Sequence, residues 1–432
     1  MTNKENGKQF FTVSRLFFLL IVIPLVLMAF FIANSILQLG DTSKIKTISA
    51  LDETFQQSLE TRAVTIAESA ADFLRRVEKD ALVATIIPET PEAYREFVDT
   101  NRQPLLVKRD GNVVRTQVPL YKEMALIDRD GNERIKIVNG KVAPESALVN
   151  VSDPANRTYK SEDYFEQGQK LEKGEVYMSP VTGWYVDRKS FEAGKRFEGI
   201  IRVTTPLFDQ QGYSGQIVLT LDARHLAKFT DYVIPTEPGV FYEVDASEGN
   251  YAYMVDYRGF VIAHPVHSHI AGLYPDGTPV PPLTQETMDE LTAKGVEVLN
   301  LKLMGFIDPE LPIIAEDAEA GNSGTRVYTF GGHQKIVAYA PIEYFTAAFP
   351  EPGGFGWVAL TVNVDKFNEQ ALAAAQKIEE EARAWMTTAI LIIVIAIVLL
   401  FLISWILARG IARSIEAEVP EEALSPPDYD DD

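Results

Sequence analysis

No cysteine occurs among the 432 residues. That absence excludes a disulfide framework, a zinc–thiolate site, an iron–sulfur cluster and a cysteine nucleophile. Basic residues are few beside the acids: 40 Lys and Arg face 61 Asp and Glu, a net charge of −21. Nucleic acid is excluded as a partner on that balance, because neutralising phosphates needs clustered Lys and Arg. The sequence contains no G-x-S-x-G, no H-E-x-x-H and no P-loop. Neither enzymatic activity nor a cofactor is expected. What the chain does have is an ordinary hydrophobic share of 46% and enough length for two or three domains. Its longest apolar runs, however, stand near the two ends.

The first run is Leu16–Gly40 and the second Ala384–Ala408, each without a charge. About 20 residues suffice to cross a bilayer as a helix. The first run is much longer than the ~7–15 apolar residues of a secretory signal core, so it reads as an uncleaved anchor. Pro24 inside it is tolerated in a membrane helix. Lys4, Lys8 and Arg15 precede the first run, and Arg409 and Arg413 follow the second. Positive flanks stay in the cytoplasm. Both termini, 1–15 and 409–432, are therefore expected inside, with 41–383 outside a bacterial inner membrane.

From Asp41 to about residue 85, Ile45, Ile48, Leu51, Phe55, Leu59, Ala63, Ile66, Ala70, Phe73 and Val77 recur every three or four residues without Gly or Pro. This spacing predicts one long amphipathic helix. Its stripe has two uses, packing on the chain's own sheets and pairing two copies, and a homodimer is expected. A second helix is predicted over 367–383. Between them lie short strands and turns. Asp110-Gly and Asp130-Gly, each between apolar runs, predict hairpins. The second falls in Asp128–Glu133, which lacks the spaced carboxylates of a calcium loop and reads as a plain turn.

An internal repeat carries more information. Ala125–Gly131 (ALIDRDG) echoes Tyr253–Gly259 (YMVDYRG). Ile200–Leu207 echoes Lys335–Ile342. Gly215–Asp222 echoes Gly356–Asp365, with two extra residues. The order is the same in both halves, which predicts two similar antiparallel sheets with flanking helices, over 86–235 and 236–366.

This arrangement resembles the double Cache (dCache) sensor domain of bacterial chemoreceptors and sensor histidine kinases. The resemblance rests on the two apolar runs, the long helix, Ala125–Gly131, Ser161–Phe165 (SEDYF), Val176–Pro180 (VYMSP) and the paired strands. It implies an α+β fold of two tandem PAS-like modules on a long N-terminal helix, with the membrane-distal module holding a ligand. Ile406–Ile415 (ILARGIARSI) looks like the start of a HAMP linker. The acidic, Pro-containing stretch beyond it opposes helix and reads as disordered, so output is expected from a separate signalling protein.

The amino-acid-binding members of that family place an Arg and a Trp-Tyr pair before the middle helix, then a Tyr, then an Asp. Here Glu162, Tyr164 and Phe165 stand at the first three places, and Tyr177 and Asp222 match the last two. The Arg is absent. Arg202 is the candidate to grip a ligand carboxylate in its stead, with Thr204 on the same strand face. Tyr164, Tyr177, Trp184 and Tyr185 are candidate aromatic walls, or else core. Asp222 is a candidate for a ligand ammonium, or a helix cap like Asp365 in the second half. His264, His267 and His269 are close enough in sequence to suggest a metal, but no metal site is expected.

The sequence thus predicts a membrane-anchored sensor for a small organic acid, amino acid or amine. Ligand binding is expected to move its helices by ~1–2 Å. The alternative is a non-catalytic adaptor that keeps the fold and binds a protein partner.

Overall fold

The computed structural model describes residues 2–418 other than 110 and 243. Of the disordered tail expected after Ile415, residues 416–418 continue the last helix and the rest lies outside the described residues. The helices are α1 (Thr2–Ala84), α2 (Pro91–Thr100), α3 (Tyr164–Gly168), α4 (Arg188–Glu192), α5 (Arg224–Asp231), α6 (Met288–Ala293), α7 (Glu310–Glu319) and α8 (Val364–Glu418). The HAMP-like segment lies within α8.

The chain divides into two compact units, residues 1–53 with 369–432, and residues 54–368. In the first unit, α1 and α8 each carry a window long and apolar enough to cross a membrane, none of it buried within the chain. Outside those windows, Lys44 pairs with Glu379 at 3.3 Å. A Cβ on Gly40 would stand 3.1 Å from that of Ala382, so a small residue permits the close approach of the two helices.

The second unit holds three sheets. A hairpin pairs β1 (Arg102–Arg109) with β2 (Asn112–Pro119). A six-stranded antiparallel sheet runs β5-β4-β3-β8-β7-β6. Its strands are β3 (Tyr121–Asp128), β4 (Glu133–Val138), β5 (Lys141–Val142), β6 (Tyr177–Met178), β7 (Ile200–Asp209) and β8 (Gly212–Asp222). A five-stranded sheet runs β10-β9-β13-β12-β11. It is built of β9 (Tyr251–Asp256), β10 (Val261–Ala263), β11 (Gly324–Phe330), β12 (His333–Ile342) and β13 (Gly356–Asn363). This is the mixed fold the sequence predicts.

The internal repeat is a repeat of topology. β3-β8-β7 in one sheet corresponds to β9-β13-β12 in the other, antiparallel throughout. Two details show how closely. Gly215 and Gly356 have φ of 158° and 150°, and a Cβ would lie 2.3 Å from Ile127 O and 2.1 Å from Val255 O. Only glycine allows the neighbouring strand so near. The Asp-x-x-Gly turns also match. Asp128 Oδ1 accepts the N–H of Asp130 and Asn132, and Asp256 Oδ1 accepts those of Arg258 and Phe260.

Register corrects one sequence reading. Asp222 lies opposite Ile200, and Asn363 lies opposite Lys335. The counterpart of Asp222 is therefore Asn363 rather than Asp365, and the strands align without an insertion. Asn363 Oδ1 accepts Asp365 N–H just as Asp222 Oδ1 accepts Arg224 N–H.

The α1 stripe is largely used by these sheets. Leu59, Ala63, Ala70, Phe73 and Val77 are buried, whereas Leu51 and Ile45 are exposed. Burying each of the larger side chains contributes about 1.5–3 kcal/mol. Arg62 and Arg75 reinforce the packing by donating to Pro235 O at 2.7 Å and Glu343 O at 2.6 Å.

Candidate functional site

Strand alternation brings Arg202 and Thr204 of β7 to one face, beside Thr220 of β8 and Glu123 of β3. Arg202 is buried, and a buried cation needs partners. Its Nε donates to Glu162 Oε1 at 2.7 Å. Its Nη1 donates to Glu123 Oε2 at 2.7 Å and to Thr220 Oγ1 at 2.5 Å. The guanidinium also lies 5.0 Å from the Tyr164 ring centroid. Burial works against its charge, but Glu162 and then Glu123 outweigh that, so its pKa is raised. Burial likewise opposes the charge of Glu123, yet Arg202 and Lys136 hold its carboxyl below the usual range.

Arg202 was expected to meet a ligand carboxylate. It meets two of the chain's own instead. Glu162, at the place where the resemblance implied an Arg, sets a carboxylate against Arg202 at 2.7 Å. Arg157 braces the same loop. It donates to Val151 O at 2.8 Å, to Glu162 O and to Glu166 Oε1.

Above this network opens a cleft of about 690 Å³. Of the seven candidate residues, Tyr164, Tyr177 and Arg202 line it. Tyr177 donates its hydroxyl to Asp163 Oδ1 at 2.8 Å. Burial, followed by that hydrogen bond, pushes its phenol up. The opposite wall comes from the second half: Tyr257, Arg258 and Phe260 of the Asp256 turn, with Ala271–Leu273 and Thr346–Ala348. Arg258 is bound at 2.7 Å to Asp256 and lies 5.7 Å and 5.5 Å from the Tyr257 and Phe260 ring centroids. Both guanidinium groups of the cleft are thus matched by protein carboxylates.

The other four candidates lie away from the cleft. Thr204 is fully buried and donates to Ile217 O at 3.2 Å. Asp222 is locked to Arg224 at 2.6 Å. Burial raises the Asp222 pKa, but the Arg224 hydrogen bond and then Lys122 lower it further. Tyr185 donates to Ser268 O at 2.9 Å and accepts Glu297 N–H at 2.9 Å, tying the two halves together. Trp184 packs on Tyr159 with ring centroids 4.8 Å apart. None of these four lines the cleft.

The sequence reading passed over Asp163, Tyr257 and Arg258, the last two because they come from the second half. It also missed Asn150 and Asn300. Their side-chain amides donate to Asp130 O and Arg258 O, one bracing each turn of the repeat. Each lies in an isolated bridge back to its turn, a pairing that only the structure shows.

Two of the three clustered histidines are tied to backbone amides, and the buried His269 Nδ1 has no hydrogen-bond partner among the described residues. His264 Nδ1 accepts Val266 N–H at 2.8 Å and His267 Nδ1 accepts Phe197 N–H at 2.6 Å. Burial lowers the pKa of all three, those of His267 and His269 to about 4. No group of three or more His, Asp or Glu able to hold a metal ion occurs among the described residues.

Residues 46–388 match the family model of the Cache domain (dCache_1). Among curated proteins no sequence matches this one. The chain is similar to several solved structures. One is the sensory domain of the Campylobacter jejuni chemoreceptor Tlp3 (10% identity, 74% of this chain and 98% of that chain, TM-score 0.41). Another is the ligand-binding domain of the Pseudomonas fluorescens chemoreceptor CtaA in complex with L-isoleucine (14%, 74% and 98%, 0.40). A third is that of the Pseudomonas aeruginosa PAO1 amino acid chemoreceptor PctB in complex with L-Arg (14%, 73% and 97%, 0.37). Cache sensory domains bind ligands and are not enzymes, in keeping with the missing catalytic motifs. With the family model spanning most of its length, this chain belongs to the Cache domain family and is a double Cache sensory domain.

Proposed function

We propose that the protein is a two-pass bacterial membrane receptor, with both termini cytoplasmic, that senses a small solute in the cleft of Tyr164 and Tyr177. The cleft carries this reading: about 690 Å³ is within the range of small-ligand sites. Arg202 and Arg258 are already neutralised, so the remaining polar anchors include the Asp163–Tyr177 pair, Gln167, Glu175 and, on the exposed side, Lys170, beside the ring faces. This speaks against a buried Arg clamp on a ligand carboxylate, and the acidic pair with the ring faces favours an amine or an uncharged polar solute, with Lys170 the cation left for an acid among the described lining residues. The solute favours one arrangement of the cleft walls and shifts the helices that lead to the membrane. A homodimer relays this shift to a separate signalling protein.

The test is a thermal-shift screen of the purified chain against amines, amino acids, organic acids and purines. A ligand at 100 times its Kd adds about 2.7 kcal/mol, and its signal should vanish in Tyr164→Ala and Tyr177→Ala. A hit indifferent to both substitutions overturns the site. The adaptor reading is favoured by one observation, the filling of the sheet's inner face by Glu162, Arg202 and Glu123. It gains if no class produces a shift.

A further inference from the structure

A second cleft, of about 600 Å³, lies between the two halves and is lined by α5, the segment after it and the turn at Pro265–Ile270. Phe191, Phe197, Tyr232, Tyr242 and His267 give it ring-lined walls. Asp231, the last residue of α5, lines it too. Its Oδ1 is closed off from solvent and has no hydrogen-bond partner.

The other charged groups around this cleft are engaged. Arg224 grips Asp222 at 2.6 Å. Arg196 lies 4.7 Å from the Phe191 ring centroid and donates to Phe191 O at 3.2 Å. Glu198 accepts from Lys122 at 3.4 Å, Asp245 Oδ1 accepts Ser247 N–H at 2.9 Å, and Lys108 stands at the β1 wall with an interaction of its own. His267 stacks on Phe191 and keeps its Nδ1 on Phe197 N–H. Asp231 is left as a half-buried carboxyl at the wall of a ring-lined space, one of its oxygens closed off and unpartnered. Leaving such a group unsatisfied is costly.

We propose that this cleft is a second ligand site, distinct from that of Tyr164 and Tyr177, which takes a small aromatic amine whose ammonium pairs with Asp231. The rings receive the flat body and the carboxylate receives the charge. Burial pushes the Asp231 carboxyl up to about 7, and pushes His267 down to about 4. Between pH 5.5 and 8 the histidine therefore stays neutral while the aspartate ionises. Since the ammonium needs the ionised form, affinity should be about 30-fold weaker at about pH 5.5 than at about pH 8.

The experiment is titration calorimetry of the full chain in detergent, with tyramine as the probe and p-cresol as its uncharged control. Tyramine should bind at about pH 8 and at least tenfold better than p-cresol. Binding should weaken at least tenfold in Asp231→Asn, fall about 30-fold on acidification and persist in Tyr177→Phe. No tyramine binding at millimolar concentration, an unchanged affinity in Asp231→Asn or a flat pH profile overturns the proposal. Loss in Tyr177→Phe alone moves the amine to the first cleft and overturns it as well. Should Asp231→Asn fail to fold, Ala227→Leu keeps the acid but fills the cleft. It should abolish binding, and retained binding refutes the site.

Discussion

Replacing Glu162 by Gln removes one of two carboxylates from a guanidinium that is 5% exposed. Arg202 would keep Glu123 at 2.7 Å and Thr220, but lose the charge facing its Nε at 2.7 Å. Breaking a buried ion pair from one side costs about 3–5 kcal/mol, and the surviving partners put this case near about 3 kcal/mol. The unit Thr54–Asn368 unfolds with an entropy of about 2.1 cal/mol/K per residue, or roughly 0.66 kcal/mol/K for about 315 residues. The expected loss in Tm is therefore about 4–5 °C. Circular dichroism of the purified chain near neutral pH reads it. The triple change Arg202→Met with Glu162→Leu and Glu123→Leu removes every charge of the network. It should recover most of the loss, since apolar replacement of a buried ionic network is often neutral. A Tm for Glu162→Gln within about 1 °C of the unaltered chain, or a triple variant less stable than the single, would refute the reasoning. Acid offers a second check. The Glu123 carboxyl is held below its ordinary range, so its contribution is present above that range and lost as pH falls through it.

Three further outcomes are expected. Gly215→Ala and Gly356→Ala should each destabilise by at least about 1–3 kcal/mol, because each methyl meets a neighbouring carbonyl; Gly410→Ala, with nothing within 4 Å and no positive φ, is the control, and equal Tm losses at all three would refute the close-approach argument. Burial followed by nearby Arg charges holds His267 and His269 down to about 4. The unfolded chain then takes up protons first as pH falls from about 6.5, so stability should decline steadily from there toward pH 4; a Tm constant over that window would contradict it. Finally, the chain has no cysteine of its own, so Lys173→Cys in whole cells should react with a membrane-impermeant maleimide and Lys4→Cys should not. The reverse pattern would invert the orientation.

Much of the fold was legible because it rests on local signals. The unbroken three-and-four spacing from Leu59 to Val77 marks a buried helix face. The Asp-x-x-Gly turns mark hairpins, and their recurrence marks the repeat. The register of the last strand was not legible. Asp365 imitates Asp222 in type, and only strand pairing shows Asn363 in its place. The site was harder still. That Tyr164 and Tyr177 stand out was legible from their neighbours in sequence, and the structure lines one cleft with both. That Glu162 closes on Arg202, 40 residues away, is a tertiary fact that no spacing encodes. Tyr185 and Trp184 were indistinguishable from ligand contacts by residue type, because aromatic side chains join two halves for the same reasons that they line a pocket.

The turn at Asp256 has a consequence for how such receptors can be taken apart. It is the twin of the turn at Asp128, yet it lends Tyr257, Arg258 and Phe260 to the cleft of the other half. A duplicated module that walls its neighbour's pocket can no longer be inherited, deleted or grafted alone. A chimera cut between the halves would join one cleft wall to a foreign one even if every residue of the first half were kept. If that cleft takes the ligand as proposed, recombination that preserves sensing must carry both halves as one cassette.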